Sequence, residues 1–310
     1  MLFFNATEKE FSMKFEIYRP SGRVTFDSLV DLNLITKDDL FEILHASLQL
    51  KISESVGEID SSLAKTHVAL ITNQRLGLSQ LTFRIAIDKV SGHPMTIPIG
   101  GSNIDEFLSG KESVAVLSKL GIDAFVVDTS ISEDAAKLSK QLSPVINANY
   151  LSSPIIALSD VLTVYEAKRK LDGLNVVCLS KASAESSALN AFLICGMKVT
   201  VCSPYETGLY ALKEKYGEES VGYTSDLSSV IKNCDVLYVD NDFGEDYKLS
   251  EEDLLVLPSD AVILHAGFIE SSTDADKAVI NDKRYLSTDA YANKAYVLAS
   301  VLKLVLTDNL

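Results

Sequence analysis

Cysteine is scarce in this sequence, tryptophan is absent, and there is no long apolar run. The four cysteines, Cys178, Cys195, Cys202 and Cys234, show neither Cys-x-x-Cys nor mixed Cys/His spacing. We therefore predict no metal site and expect buried free thiols, as in a reducing compartment. No segment approaches about 18 continuous apolar residues, and the amino terminus lacks a signal-peptide core. These absences predict a cytoplasmic protein that does not insert into a membrane.

Positive charge is also in short supply. The chain has 28 lysine and arginine residues against 43 aspartate and glutamate residues, which gives a formal net charge of −15. No basic cluster interrupts this acidic background, and such a chain repels a polyanion at long range. Nucleic acid is therefore not an expected partner.

A dinucleotide-binding fingerprint is missing as well. Gly100, Gly101 and Gly110 stand outside any Gly-x-Gly-x-x-Gly spacing and are typical of turns. We reject a nicotinamide-dependent oxidoreductase on this ground and predict no cofactor. His45, on a helix predicted from Thr36 to about Lys51, has no second ligand nearby in sequence, which favours a partly covered helix histidine over a metal ligand.

The most informative stretch that is present runs from Thr66 to Pro94. Its start, from His67 to Ile71, is an apolar run with β-branched residues and predicts a strand. The apolar residues between Gln80 and Val90 are dense enough to predict a buried helix. The loop from Thr72 to Ser79 would open that helix, and free backbone N–H groups at a helix start can bind an anion.

Predicted strands and helices alternate along the rest of the chain, which favours parallel sheets. A segment rich in serine and proline, from Leu151 to Pro154, separates two halves, and an apolar final helix from Tyr291 must dock on something large. We predict an α/β fold of two doubly wound parallel-sheet domains, residues 1–150 with the helix of 291–310, and residues 151–290. The further predicted strands are Met95–Ile99, Ile122–Asp128, Pro144–Asn147, Val176–Leu179, Val199–Cys202, Val236–Val239 and Ala261–His265. The further predicted helices are Ser113–Leu120, Glu133–Leu142, a long helix that ends at Lys170, Ser186–Cys195, Gly208–Tyr216 and Leu227–Lys232.

Several short motifs accompany this order of segments between Ser28 and Leu306. They are Ser91-Gly92-His93-Pro94, Gly110-Lys111-Glu112-Ser113, Pro144-Val145-Ile146-Asn147, Leu158-Ser159-Asp160-Val161-Leu162-Thr163 with Glu166, Gly196-Met197 with Pro204, Cys234 to Asp240, and Leu264-His265. With these motifs, the chain resembles the aspartate/ornithine carbamoyltransferase family, and its ornithine branch more closely. The resemblance implies two α/β domains of carbamoyltransferase type, with the last helix returning to the first domain. It also implies a trimer with active sites between subunits.

The residues that bind phosphate in this family do not carry over. The family's Ser-Thr-Arg-Thr-Arg loop corresponds here to Leu76, Gly77, Leu78, Ser79 and Gln80. Leucine offers none of the charged hydrogen bonds that arginine makes with phosphate. The family's arginine at the end of a later strand corresponds to Asp128, which inverts the local charge. Arg75 and Lys111 are the candidates for a rebuilt phosphate site.

The positions that orient the carbamoyl group in this family, and those that bind the amino acid, are also altered. The family's His-Pro-x-Gln corresponds to a segment that begins with Ser153 and ends with Ile156, so the groups that orient the carbamoyl moiety are lost. The family's His-Cys-Leu-Pro motif corresponds here to a segment that begins with His265 and Ala266. On the amino-acid side Asp240 persists, whereas the other equivalent positions are Ser183, Gly244, Glu245 and Lys294.

Two functional hypotheses follow from this resemblance. The first is a pseudoenzyme that has lost carbamoyl-phosphate binding and catalysis and has a structural or regulatory role, as a homotrimer or a hetero-oligomer with a related subunit. The second is a divergent active carbamoyltransferase of ornithine or arginine metabolism with a rebuilt site. The residues of that site would be Arg75, Lys111, Asp128, Lys181, His265 and Lys294, and Asp128, Asp240 and Asp242 would favour an amino-acid or amine ligand.

Overall fold

The computed structural model describes residues 19–73, 77–99, 116–117, 119–131, 133–149, 153–180, 186–205, 208–240, 249–266 and 274–307. Within these ranges the strands are β1 His67–Thr72, β2 His93–Pro98, β3 Ala124–Asp128, β4 Val145–Asn147, β5 Asn175–Leu179, β6 Lys198–Cys202, β7 Val221–Thr224, β8 Val236–Val239 and β9 Val262–His265. The α-helices are α1 Lys37–Ser55, α2 Leu78–Lys89, α3 Asp134–Leu138, α4 Pro154–Lys168, α5 Ser187–Ile194, α6 Leu209–Tyr216, α7 Glu251–Val256, α8 Asp274–Ile280 and α9 Ser287–Thr307.

The strands form two parallel sheets, which confirms the predicted α/β fold. The first sheet has the order β2-β1-β3-β4 and the second has the order β7-β6-β5-β8-β9. In the first sheet Thr72 of β1 pairs with Asp128 of β3, so these two residues lie side by side at the carboxyl edge. In the second sheet Val239 of β8 pairs with His265 of β9 at the corresponding edge. These edges are where parallel sheets place ligand sites.

Both faces of each sheet are covered by apolar residues. Along β1, Val68 and Leu70 join a central core, whereas Ala69 and Ile71 join a separate outer core. This split follows from the alternation of side chains along a strand, and it explains why the strand sequences read as continuous apolar runs. The central core extends to the inner face of the second sheet, so one set of helices packs between the two sheets.

Helix α9, the last helix of the chain, packs against helices from both halves. It packs against α1, α2 and α4, which confirms that the last helix returns to the first half. It begins at Ser287, four residues before the predicted start at Tyr291, and continues to Thr307. The Ser287 hydroxyl accepts a hydrogen bond of 2.7 Å from the backbone N–H of His265, which ties the helix start to the end of β9.

Helix α2 differs from the prediction of a buried helix. Phe83, Ala86 and Ile87 are buried, but Leu81 and Ile85 are 55% and 43% exposed. The helix therefore buries one apolar side and, among the described residues, exposes apolar side chains on another side as well. Counting apolar residues overstated burial here, because the exposed face of the helix is apolar too.

Several other predicted bounds are also corrected. The helix predicted from Leu227 to Lys232 is two 3-10 turns, since the Asp226 carboxylate accepts bonds from Ser228 that compete with an α-helix. The helix predicted from Glu133 to Leu142 shortens to α3. The elements that the sequence analysis missed are β7, α7 and α8. Half of the helix predicted from Ser113 to Leu120 lies outside the described residues, and residues 116, 117 and 119 in the other half are helical.

Two further predictions concern the cysteines and membrane insertion. All four cysteines are free and buried, as expected. Among the described residues, none of the helices combines the length and apolar character that crossing a membrane would require.

Candidate functional site

The first sheet presents a polar carboxyl edge beside the start of α2. Gly77 is the residue before α2, and the first turn of that helix reaches the ends of two strands. The Ser79 hydroxyl donates a hydrogen bond of 3.0 Å to Asp128 Oδ2, and the Gln80 amide donates one of 3.0 Å to Thr72 Oγ1. Both side chains are therefore bound to the sheet. Leu78, the first residue of the helix, is 58% exposed and offers no polar side chain.

Asp128 is part of a larger charged set that includes two distant residues. Asp128 at the end of β3 and Asp160 on α4 are 0% and 3% exposed, and both carboxylates attract the Lys294 ammonium on α9. That ammonium lies 4.2 Å from the ring centroid of Tyr291, one turn earlier on the same helix. We call Asp128, Asp160 and Lys294 the buried charge triad. It connects the first sheet, the helix between the sheets and the final helix.

The environment of the triad changes the proton affinities of its members. Burial raises the pKa of Asp128 to about 6, although the Ser79 hydrogen bond and the charge of Lys294 lower it. Burial also raises the pKa of Asp160, against the attraction of Lys294 and a hydrogen bond from Tyr238. Burial lowers the pKa of Lys294, against the two carboxylates. Groups whose pKa values are displaced in this way are typical of functional sites.

The carboxyl edge of the second sheet carries a smaller polar set. The Ser180 hydroxyl after β5 donates a hydrogen bond of 3.0 Å to Asp240 Oδ2 after β8. His265 ends β9, the next strand, and its backbone N–H is the donor to Ser287. The predicted amino-acid side is thus represented among the described residues by Asp240, with Lys294 in the triad. The predicted catalytic position His265 lies on the strand next to Asp240.

Three of the altered catalytic positions have structural roles. Ser153 is the N-cap of α4, and its hydroxyl accepts a hydrogen bond of 3.3 Å from the backbone N–H of Ile156. Ile156 and Ala266 are buried, with 6% and 7% exposure. Serine is a favoured N-cap residue, so Ser153 stabilises the helix start irrespective of any chemistry.

The other predicted positions lie outside the described residues, and their placement remains a prediction. They are Arg75, Leu76, Lys111, Lys181, Ser183, Asp242, Gly244 and Glu245. The buried charge triad is therefore the part of the candidate site that the described chain defines.

Sequence reasoning treated Asp160 as scaffold and missed its place in the triad. A signal was present, because a carboxylate interrupts the apolar helix sequence of α4 and a buried charge requires a partner. Tyr238, the hydrogen-bond partner of Asp160, was likewise read only as a strand residue. Among the described residues, no group of three or more histidine, cysteine, aspartate or glutamate side chains could hold a metal ion.

A groove of about 540 Å³ lies away from the triad. Asn175 and Asp235, which line it, stand at the amino ends of β5 and β8. Ligands of parallel sheets bind at the carboxyl ends, so this groove is at the wrong edge to extend the candidate site.

The comparison with family models matches residues 27–166 to the aspartate/ornithine carbamoyltransferase, carbamoyl-P binding domain. Ornithine carbamoyltransferase from Methanococcus aeolicus is 27% identical over 304 residues, covering 89% of this chain and 98% of that relative. The enzyme of the same description from Methanocaldococcus jannaschii is 26% identical over 304 residues, with the same two coverages.

Solved structures give the same fold. Ornithine carbamoyltransferase from Pyrococcus furiosus matches with a TM-score of 0.76 and 22% identity, over 92% of this chain and 97% of that one. Aspartate transcarbamoylase from Trypanosoma cruzi, in complex with carbamoyl aspartate and phosphate, matches with a TM-score of 0.79 and 16% identity, over 93% and 98% of the two chains.

Proposed function

Because the chain belongs to the aspartate/ornithine carbamoyltransferase family, we propose that it is a member that no longer binds carbamoyl phosphate or transfers the carbamoyl group. It would instead have a structural or regulatory role, assembled with itself or with a related subunit. The four buried free cysteines agree with a reducing, cytoplasmic location. Asp128 is the observation that carries the proposal.

Asp128 opposes phosphate binding through its charge and its contacts. It is fully buried at the end of β3, where the family resemblance expects an arginine. Two like charges about 4 Å apart repel by about 4 kcal/mol at the effective dielectric of a protein surface, and a phosphate dianion roughly doubles that. Its carboxylate also accepts the hydrogen bond of the Ser79 hydroxyl, which is the one hydroxyl left at the positions that correspond to the family's phosphate loop. This edge of the sheet therefore favours a positive group over a negative one.

We expect isothermal titration calorimetry to detect no binding of carbamoyl phosphate tighter than about 1 mM, or roughly 4 kcal/mol. A bisubstrate phosphonate analogue of carbamoyl phosphate and ornithine should likewise give no detectable heat of binding. Citrulline formation from carbamoyl phosphate and ornithine should stay at the uncatalysed rate. The ornithine carbamoyltransferase of Methanocaldococcus jannaschii, run in the same buffer, is the positive control. Binding or turnover by the folded chain would contradict the proposal.

A divergent active transferase is the second candidate function, and one observation favours it. Lys294 has a lowered pKa beside two buried carboxylates, and such constellations can serve proton transfer. An active enzyme would show carbamoyl-phosphate-dependent product with some amine acceptor. Release of phosphate above background in a screen of ornithine, lysine and putrescine would select this candidate over the first.

The exposed face of α2 supports an oligomer. Leu78, Leu81 and Ile85 are spaced by three and four residues, so they form a stripe along one side of the helix. Exposed apolar residues that adjoin in this way are typical of protein interfaces. We propose that a second copy, or a related subunit, covers this stripe.

Replacing both Leu81 and Ile85 with aspartate is expected to dissociate the oligomer without unfolding the chain, because both side chains face outward in the single chain. Light scattering coupled to size-exclusion chromatography would measure the mass, and circular dichroism the folding. The matched control is Leu255→Asp, at an 86% exposed leucine on α7. An unchanged mass for the double variant, or equal dissociation by the control, would place the interface elsewhere.

A further inference from the structure

The amino edge of the first sheet, at the far end of the strands from Asp128, carries two histidines. His67 begins β1 and His93 begins β2, and the two residues pair with each other in the register of these parallel strands. Paired residues project from the same face of a sheet, so both imidazoles stand on the face that Ala69 and Ile71 share further along β1. Both histidines are exposed, in contrast to the buried residues that follow His67.

The two rings have the spacing of two ligands that share one metal ion. Their centroids are 5.4 Å apart, and their planes are inclined by 35°. An ion bound at about 2.1 Å by an imidazole nitrogen lies about 3.2 Å from the centre of that ring. Two rings bound at the tetrahedral angle that zinc prefers would then have centroids about 5.2 Å apart. The observed distance between the centroids therefore matches that of two histidines on one ion.

A hydrogen bond prepares one of the rings to act as a ligand. His93 Nε2 lies 3.0 Å from the backbone oxygen of Ala64. A carbonyl oxygen can only accept, so Nε2 carries the hydrogen, and Nδ1 of the neutral ring keeps its lone pair. Metal-binding histidines hold their second nitrogen on a carbonyl or carboxylate oxygen in this way. The His67 ring has no hydrogen-bond partner within the described chain, and rotation about its Cβ–Cγ bond turns its nitrogens without moving the ring centre far.

We propose that His67 and His93 together bind one divalent transition-metal ion of the kind that prefers imidazole, such as Ni²⁺, Cu²⁺ or Zn²⁺. Among the described residues no third histidine, cysteine or carboxylate completes the group, so water fills the remaining positions around the ion. The cysteine spacing predicted no metal site, and a pair of ligands on two neighbouring strands leaves no such spacing in the sequence. The site does not depend on the proposed function, because it lies at the opposite edge of the sheet from Asp128.

The surroundings of the pair favour a cation. Asp123 Oδ2 accepts a hydrogen bond of 2.8 Å from the backbone N–H of His67, so a carboxylate lies beside one of the two ligands. The formal net charge of −15 also attracts divalent ions to the chain. A bound ion would connect the starts of β1 and β2, the strands before and after α2. It would stabilise the folded chain, since the two ligands meet only when these strands pair.

The test is calorimetric titration of the full chain with NiCl₂ and with ZnCl₂ at neutral pH, in a buffer that does not bind metals. We expect one ion per chain with a dissociation constant below about 100 μM for at least one of the two salts. MgCl₂ at equal ionic strength should bind at least about tenfold more weakly, because Mg²⁺ prefers oxygen ligands. Equal binding of Mg²⁺ would indicate general attraction to an acidic protein and would overturn the proposal, as would the absence of binding by both transition-metal ions.

Variants assign the binding to the pair. His67→Gln and His93→Gln each remove one of the two protein ligands, so each should weaken Ni²⁺ binding at least about tenfold. Both side chains are exposed, so the core is unchanged, and circular dichroism would verify the folding. His45→Gln, at the histidine of α1, is the matched control and should bind as the unmodified chain does. Unchanged affinity in both His67→Gln and His93→Gln would overturn the assignment.

Nuclear magnetic resonance gives a second readout on the unmodified chain. The chain has four histidines, and a paramagnetic ion broadens the ring signals of the residues that bind it. Cu²⁺ added below one equivalent should broaden the ring signals of His67 and His93 together and leave those of His45 and His265 sharp. Broadening of His45 or His265 first, or of only one member of the pair, would overturn the proposal of a shared ion.

Discussion

The Lys294→Met variant is expected to lose about 2–3 kcal/mol in its free energy of unfolding at pH 7, where Lys294, with a pKa of about 8, is still mostly charged. Methionine keeps the length of the side chain and removes its charge. Asp128 and Asp160 would then hold two buried negative charges without a counterion. Urea unfolding followed by circular dichroism would measure the difference from the unmodified chain.

The effect should depend on pH in a defined direction. Burial raises the pKa values of both carboxyls, so they bind protons more tightly in the folded chain than in the unfolded chain. Folding stability therefore falls as pH rises through about 6, the pKa of Asp128, and Lys294 offsets this loss in the unmodified chain. At pH 5 the carboxyls are mostly protonated, and the variant should approach the stability of the unmodified chain.

Two controls separate charge from packing in this experiment. Lys294→Arg keeps the positive charge and should lose less stability at pH 7. Lys232→Met makes the same replacement at an exposed lysine and should change stability by less than about 0.5 kcal/mol. A loss in Lys294→Met that is equal at pH 5 and pH 7 would mean that packing, and not the charge balance of the triad, determines the effect.

The sequence predicted the architecture well where local patterns determine it. The segments of β1 and β3 read as uninterrupted apolar runs because both faces of the first sheet are covered. Strand β7, in contrast, was missed because it is an edge strand that is largely half-exposed and contains Gly222. This segment is a strand because it pairs with β6, and its own residues do not predict that pairing.

The candidate site could be predicted only in part, since its members are far apart in sequence. Asp128 and Lys294 were identified from the resemblance, one as a reversed charge and the other as a changed position on the last helix. Their relation to Asp160 depends on how α4 and α9 pack, which no local pattern encodes. The apolar neighbours of Asp160 read as ordinary core, and a buried charge becomes informative only once its partner is known.

A second polar network lies one residue from the triad and gives the last prediction. Asn293, which is 1% exposed on α9, donates hydrogen bonds of 2.8 Å to Thr163 and to Glu166 on α4. Its carbonyl oxygen accepts a bond of 2.7 Å from the Lys51 ammonium on α1, and Lys51 also pairs with Glu166. Asn293 therefore joins three helices from distant parts of the chain, beside the position where Lys294 enters the triad.

Asn293→Leu is expected to lower the free energy of unfolding by about 2–4 kcal/mol, because leucine has a similar shape but leaves Glu166 and Lys51 each short of a bond. Urea unfolding at pH 7 would measure the loss. Tyr296→Phe, one turn further along α9, removes only the hydroxyl bond to the exposed Glu54 and should cost less than about 1 kcal/mol. A loss below 1 kcal/mol for Asn293→Leu would show that water replaces the missing bonds. A large loss would show that the helices flanking the triad are held by polar contacts, a rigid frame in which two buried carboxylates can stay close to a single lysine.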